Sequence, residues 1–486
     1  MENAVDKPAI SPGVPAAELA SISMPERLET PFGALEFFDG LPSPESVARS
    51  YDALDLMRGV EVFLNCMPGA SMVAMRKGFR SIGVDASNIL GYTDPKATSA
   101  NVVLTANTET TYGTNYLDLK TDGPLVIEAP PKALGFIDTI WQRYVTDIGL
   151  AGPDKGAGGK YLILPPDYDG EVPDGHFVAR SPTYSNWLVI RALGGVEDIK
   201  KTQIYPLAQA DDPPPTEFLN FSPAAFNGIH ANDGSFFDEV ASIVAEEPAE
   251  ALDPERAGQL AALGIVSGRP FAPDDRLRGI LDTAARLGAG IVRSILYAPR
   301  QDEAYIYSKG ESMWSTAFVG GSHEFLSNGA RLLDNRAMMH YVGTGITPAM
   351  THAAVGVGSQ YAFTARDVNG DWLHGDREYT LTLPANIPAK TFWAVDIYDT
   401  QTRSLLQTDT PYPSVHANTE DLATEANGDT TIFFGPSAPS DHPHNWIQTV
   451  PNKGWFPILR IYGPLEAWFD QTWRPGEVQP RTDARA

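Results

Sequence analysis

Cysteine is nearly absent: Cys66 is the only one among 486 residues. No intramolecular disulfide can form, and no thiolate cluster can hold a metal. Cations are scarce too, with 36 lysines and arginines against 61 acidic residues and a formal net charge of −25. That field repels phosphate backbones and anionic lipid, so neither nucleic acid nor membrane is an expected partner. No run approaches the ~18 apolar residues that a membrane span requires. The start, Met1-Glu-Asn-Ala-Val-Asp-Lys, has no basic segment leading into an apolar one. It does not read as a secretory signal, and a cytoplasmic location is expected. No Gly-x-Ser-x-Gly elbow occurs, which argues against an ordinary α/β-hydrolase. Gly156-Ala-Gly-Gly-Lys160 is no phosphate loop either. Asp154 stands where its first glycine belongs and Tyr161 replaces the magnesium-binding Ser/Thr, so a hairpin turn is expected there.

What the chain does have is turn chemistry. Its 43 glycines, 40 prolines and 10% aromatics lean towards a β-rich protein. Its length allows two or three cores, since single cores stop growing near ~250–300 residues. Residues 1–29 read as a flexible arm. Residues 30–225 read as an N-terminal β-rich domain with an opening helix. Ser43 is its N-cap, Pro44 suits the first turn, and Val47, Tyr51, Leu54, Leu56, Val60 and Val62 carry the periodicity on, with breaks, towards Gly78. Short strands follow at 125–129, 133–142, 161–164 and 176–179, and helical spacing returns at 185–193. Residues 226–344 read as a helical linker segment, strongest at 255–263, 273–298 and 323–341. Residues 345–486 read as a jelly-roll-like β domain with strands at 378–383, 391–396, 430–434 and 457–462. The expected class is a β-rich α+β fold: two β-sandwich or jelly-roll-like domains joined by a helical segment.

Residues 107–119 open a strand with a dense polar cluster. If that stretch is extended, Asn107, Glu109 and Asn115 share one face, with Tyr112 among them in sequence but on the alternate side. Asp138 and Arg143 fall on the next strand pair. Glu109 and Asp138 could then act as general acid and base if their surroundings split the pKa values. Tyr112 and Arg143 complete the candidate catalytic set, and Asn107, Asn115 and Trp141 are candidate substrate contacts. The plainer alternative is that Asn107 and Glu109 satisfy buried backbone groups at a strand entrance. Arg460 lies between Leu459 and Ile461, so in a strand it faces away from their apolar side. If buried it needs a carboxylate, and Asp396 or Asp399 are the partners to expect. If it floors a cleft instead, it is a further substrate contact. His442 and His444 beside Asp441 could chelate a metal with a third ligand, but such a pair in a Ser/Pro loop is more often plain surface, and no metal ligand is assigned. His340 and His352 flank residues 343–348, where a satisfied core histidine is the default. Trp141, Tyr144, Trp187, Trp393, Tyr398, Trp446 and Trp455 form either cores or a platform for a sugar ring.

Several segments carry a family resemblance. Thr105-Ala-Asn-Thr-Glu-Thr-Thr-Tyr, Gly156-Ala-Gly-Gly-Lys-Tyr-Leu and Arg180-Ser-Pro-Thr-Tyr-Ser-Asn-Trp-Leu lie in the first half. Phe392-Trp-Ala-Val-Asp-Ile-Tyr-Asp, Asn445-Trp446 with Pro451 and Gly454, Leu459-Arg-Ile-Tyr-Gly-Pro and Trp473-Arg-Pro lie in the second. In order and spacing they resemble a bacterial two-domain family, domain of unknown function 1254 followed by domain of unknown function 1214, over nearly the whole chain from Thr30. The resemblance implies two β-rich domains with helical insertions and no agreed activity. Glu109 stands where an aspartate is usual in it.

Two functions of different class remain. One is a hydrolase acting on a small organic molecule in an interdomain cleft. The other is a non-catalytic carbohydrate-binding or assembly protein. A small-molecule or carbohydrate ligand is the expected partner, a homo-oligomer stays open, and no cofactor is assigned.

Overall fold

A computed structural model describes residues 14–192, 194–351 and 354–481. The first part of the expected arm and His352 lie outside the described residues. Its later part holds an exposed helix, Ala16–Ile22, and a strand, Arg27–Thr30, paired with Gly33–Phe38.

The first module is built on two facing sheets. A six-stranded sheet runs in the order Glu217–Asn220, Ile89–Tyr92, Gly113–Asp118, Ser185–Ala192, Ala133–Thr139, Tyr144–Gly149. A four-stranded sheet of Phe177–Arg180, Gly159–Leu164, Leu125–Ala129 and Gln203–Pro206 covers one of its faces. Strand alternation sorts the side chains. Leu188 and Ile190 join Leu125, Ile127 and Ile163 between the sheets, whereas Trp187 and Val189 point the other way into a core around the long helix. The helix expected at 185–193 is therefore a strand. Both of its faces are buried, and a near-continuous apolar run has no period to separate strand from helix.

That long helix, Pro44–Ser81, runs unbroken for 38 residues through Pro68, and the Ser43 hydroxyl caps it by accepting the Ser46 N–H at 3.2 Å. The helices Ser235–Glu246, Pro254–Ala262, Asp275–Tyr297 and Leu333–Val342 lie against it. Small residues let them approach: a Cβ on Gly59 would stand 2.6 Å from the Ala284 Cβ, and one on Gly69 would stand 2.5 Å from Trp141. The helix expected from 323 starts only at Leu333, because Leu326–Ser327 and Ala330–Arg331 form a hairpin. Gly329 takes its turn at φ +79°.

The second module pairs a sheet of Ser359–Phe363, Trp455–Pro464, Ala389–Asp399 and Ser414–His416 with one of Trp446–Gln448, Thr430–Gly435, Tyr379–Leu383 and Gln479–Pro480. Val395, Ile397, Leu459 and Ile461 pack inside with Leu381 and Ile432. The alternate residues Tyr398, Phe456 and Ile458 instead join Phe63, Met67 and Phe236 of the helical core, so one apolar cluster ties the helices to both modules. The β-rich α+β class expected from the sequence is what forms. No helix among the described residues is long and apolar enough to cross a membrane.

Candidate functional site

Polar side chains concentrate where residues 105–112 meet the outer face of the second module. That stretch is a turn, and its strand starts only at Gly113. Asn107 makes the turn: its Oδ1 accepts the Glu109 and Thr110 N–H groups at 3.2 and 3.0 Å, and its Nδ2 donates to the Tyr112 hydroxyl at 2.7 Å. With the chain folded back, Glu109 points across the seam rather than along a shared strand face.

On the far side, adjacent antiparallel strands set Asp396, Tyr398 and Arg460 on one face, with Ala394 opposite Arg460. Arg460 is 6% exposed. Its Nε donates to Asp396 Oδ2 at 2.9 Å, and its Nη2 donates to the Tyr398 hydroxyl and to the Thr105 carbonyl, both at 2.7 Å. Tyr398 in turn donates to the Ala106 carbonyl at 2.7 Å. Arg460 is thus paired, with one of the carboxylates the sequence suggested, and it fastens the turn to the sheet.

Glu109 reaches the same cluster. Its Oε1 accepts from the Ser414 hydroxyl at 2.9 Å and from the Thr108 hydroxyl at 2.6 Å, while that Thr108 oxygen also lies 3.1 Å from Asp396 Oδ1. A hydroxyl has one hydrogen, so it serves one carboxylate fully. The other contact is filled when Asp396 carries a proton and donates it to Thr108. Burial, and then the charge of Glu109, hold the Asp396 carboxyl well above the usual carboxylate range, which agrees with that proton. Glu109 Oε2 is buried without a hydrogen-bond partner among the described residues.

The other candidates lie apart from this cluster. Asp138 is fully buried and accepts the Ile346 N–H at 3.0 Å, and Gln142 beside it accepts the Gly345 N–H at 3.0 Å. Asp138 therefore ties down the 345–347 loop. It shares no hydrogen-bond partner with Glu109, whose carboxylate neighbour is Asp396. Burial pushes the Asp138 carboxyl well up, and Asp147, itself raised to about 6 by burial, adds to this. Arg143 donates to the Ala251 carbonyl at 3.1 Å, away from Asp138. Trp141 is buried in the helical core, and Asn115 donates to the Ala86 and Ser87 carbonyls at 3.2 and 2.6 Å, a backbone-holding role. Trp187, Trp393 and Trp455 are buried as well, so they present no ring face to a sugar. Among the described residues no group of three or more His, Cys, Asp or Glu side chains could hold a metal. His442 stacks on Phe433 with ring centroids 5.1 Å apart.

Arg191 was missed because 185–193 read as a helix. Its guanidinium lies 5.6 Å from the centre of the Tyr112 ring, and the hydroxyls of Tyr112, Tyr361 and Tyr462 favour its charge. Cavities of about 420 and 670 Å³ lie elsewhere, along the long helix near Glu61 and near Arg49, and neither contains a residue of this cluster. The chemistry is at the seam, so the seam rather than these cavities is the candidate site.

Residues 88–209 match the family described as protein of unknown function DUF1254, and residues 358–466 match protein of unknown function DUF1214. The chain carries both modules, the first N-terminal and the second C-terminal. Its fold is similar to the crystal structure of a Vibrio parahaemolyticus protein, with TM-score 0.51 and 18% identity over 88% of this chain and 100% of that one. An uncharacterized protein from Burkholderia cenocepacia matches at TM-score 0.35 and 12% identity, over 90% of this chain and 96% of its own. Among curated proteins none matches.

Proposed function

We propose that this chain is an enzyme that moves protons on a small organic molecule at the seam between its modules, most simply a hydrolase. The observation that carries the reading is the carboxylate pair. Glu109 presents a free, buried Oε2, and behind it Asp396 holds a proton through the shared Thr108 contact. A carboxylate held close to a carboxyl whose proton burial retains is what general acid–base work requires. In a hydrolytic step, Glu109 Oε2 takes a proton from water as the water oxygen bonds to an acyl carbon. The same proton then goes to the leaving group as the acyl bond breaks, so the carboxylate is restored. Asp396 is fully buried behind Thr108. It is a positioning residue, as are Thr108 and Ser414, which fix the Glu109 carboxylate.

The test is turnover of a panel of small esters, lactones and amides by the purified chain and by Glu109→Gln. The expected result is hydrolysis of at least one class, lost about 100-fold or more in the variant with its melting temperature unchanged. No turnover across the panel, or turnover indifferent to Glu109→Gln, refutes the reading.

A further inference from the structure

We propose that the seam binds a small carboxylate with a flat apolar body, an aromatic monocarboxylic acid in the simplest case, through Arg191 and Tyr462. This rests on the reading of the seam as a substrate site and supplies the substrate class.

The first observation is Arg191. Among the described residues it has no salt bridge; it leans on Tyr112, whose ring centre lies 5.6 Å away, and Tyr361 and Tyr462 of the second module are near enough to act on its charge. With 61 carboxylates to 36 cations in the chain, its lack of a carboxylate partner is not a matter of shortage. A guanidinium offers a planar fork that matches a carboxylate in two parallel hydrogen bonds.

The second observation is independent of the first. Tyr462 is 5% exposed, and its hydroxyl is buried with no partner. Buried hydroxyls are nearly always satisfied, so an orphan calls for an explanation. Tyr462 lies on the same strand face as Arg460 and Tyr361, the face that residues 105–112 cover, and the charges of Glu109 and Tyr112 act on its hydroxyl. Two buried groups without a partner, the Tyr462 hydroxyl and Glu109 Oε2, therefore lie near a guanidinium that has no carboxylate of its own. Fork and hydroxyl suit an anion, whereas Glu109 repels one, so the bound acid lies with its carboxylate at Arg191 and its other end at Glu109. The walls favour a flat body. Tyr361 lies against Phe318 with ring centroids 5.9 Å apart, and Tyr462 stacks on Phe392 at 4.2 Å.

The experiment is calorimetric titration of the full chain with benzoate, benzamide, acetate and inorganic phosphate. Benzoate should saturate one site, with benzamide and phosphate at least 10-fold weaker and acetate weaker for want of the ring. Arg191→Gln should abolish benzoate binding. Tyr462→Phe removes a hydroxyl that bonds to nothing in the protein, so it should weaken binding several-fold at an unchanged melting temperature. That readout holds even if Arg191→Gln folds poorly. Glu109→Gln should keep or tighten benzoate binding while losing turnover. Benzoate failing to saturate, phosphate binding as well as benzoate, or affinity indifferent to both Arg191→Gln and Tyr462→Phe overturns the inference. Turnover that needs Glu109 without any benzoate site leaves the acid–base reading standing and sinks only the substrate class. An Arg191-dependent benzoate site without turnover does the reverse.

Discussion

If Asp396 carries the proton that its contact with Thr108 calls for, either carboxylate alone should suffice to balance the Arg460 guanidinium. The perturbation is a double-mutant cycle of Glu109→Gln and Asp396→Asn. In Asp396→Asn the amide reproduces the protonated acid: its oxygen accepts from Arg460 Nε, and its N–H donates to Thr108. Glu109 remains the anion, and the cost should be about 1 kcal/mol or less. In Glu109→Gln the amide oxygen still accepts from Thr108 and Ser414, and Asp396 releases its proton to become the counter-ion, again for about 1 kcal/mol or less. With both replaced, Arg460 at 6% exposure has no carboxylate beside it. Stranding a buried charge costs about 3–5 kcal/mol, so the double variant should exceed the sum of the singles by at least about 1–3 kcal/mol. Urea unfolding followed by tryptophan fluorescence gives the midpoints, compared at equal slope. Additive costs, or Asp396→Asn alone costing about 3–5 kcal/mol, would show that Asp396 is the ionised partner of Arg460 and refute the proton on Asp396.

Two further tests concern the framework. Burial, and then the charge of Arg403, lower the His230 pKa from 6.5 to about 3. The unfolded chain therefore takes up a proton first as pH falls, and the stability this histidine contributes is whole above 6.5 and lost on descending towards about 3. The fall in melting temperature between pH 7 and pH 5 should be shallower in His230→Gln than in the parent, and an identical slope refutes the assignment. Alanine normally favours a helix interior by about 1 kcal/mol over glycine. At Gly69 the added Cβ would meet Trp141 at 2.5 Å and Ile243 at 2.6 Å, so Gly69→Ala should instead destabilise by about 1–3 kcal/mol in thermal or urea unfolding, and a stabilised variant counts against the close helix packing.

Local chemistry made much of the fold legible. Ser43 and Pro44 announce the long helix with a cap and a first-turn proline, and the helix begins at Pro44. The strand expected at 125–129 forms as Leu125–Ala129, because flanking glycine and proline bound a short β-branched run. What failed was the reading of segments whose surroundings, rather than their own pattern, set the conformation. Trp187-Leu-Val-Ile-Arg191 is apolar towards two different cores, and its spacing alone fits either period. Asn107 accepts three hydrogen bonds from Glu109 and Thr110, closing a turn where alternation had suggested a strand.

The seam itself was half legible, and the missing half is long-range. The partners of Arg460 could be named because strand alternation is local: once Leu459 and Ile461 are inside, Arg460 must face out and, being buried there, must find an acid. Nothing local says that Glu109 meets Ser414, 305 residues away. Yet the segments that made the two modules recognisable are the ones that touch. Thr105, Thr108 and Glu109 come from the first module's polar signature, Asp396 and Tyr398 from the Phe392–Asp399 segment, and Arg460 and Tyr462 from the Leu459–Pro464 segment. Within the second module Arg460 already pairs with Asp396 and Tyr398; what the first module adds is the Thr105 and Ala106 carbonyls, which accept from Arg460 and Tyr398, and the Thr108 hydroxyl beside Asp396. Joined, the signatures leave Glu109 Oε2 and the Tyr462 hydroxyl without a partner. On the reading proposed above, a ligand is what takes up those two groups, and Arg191 supplies its counter-charge.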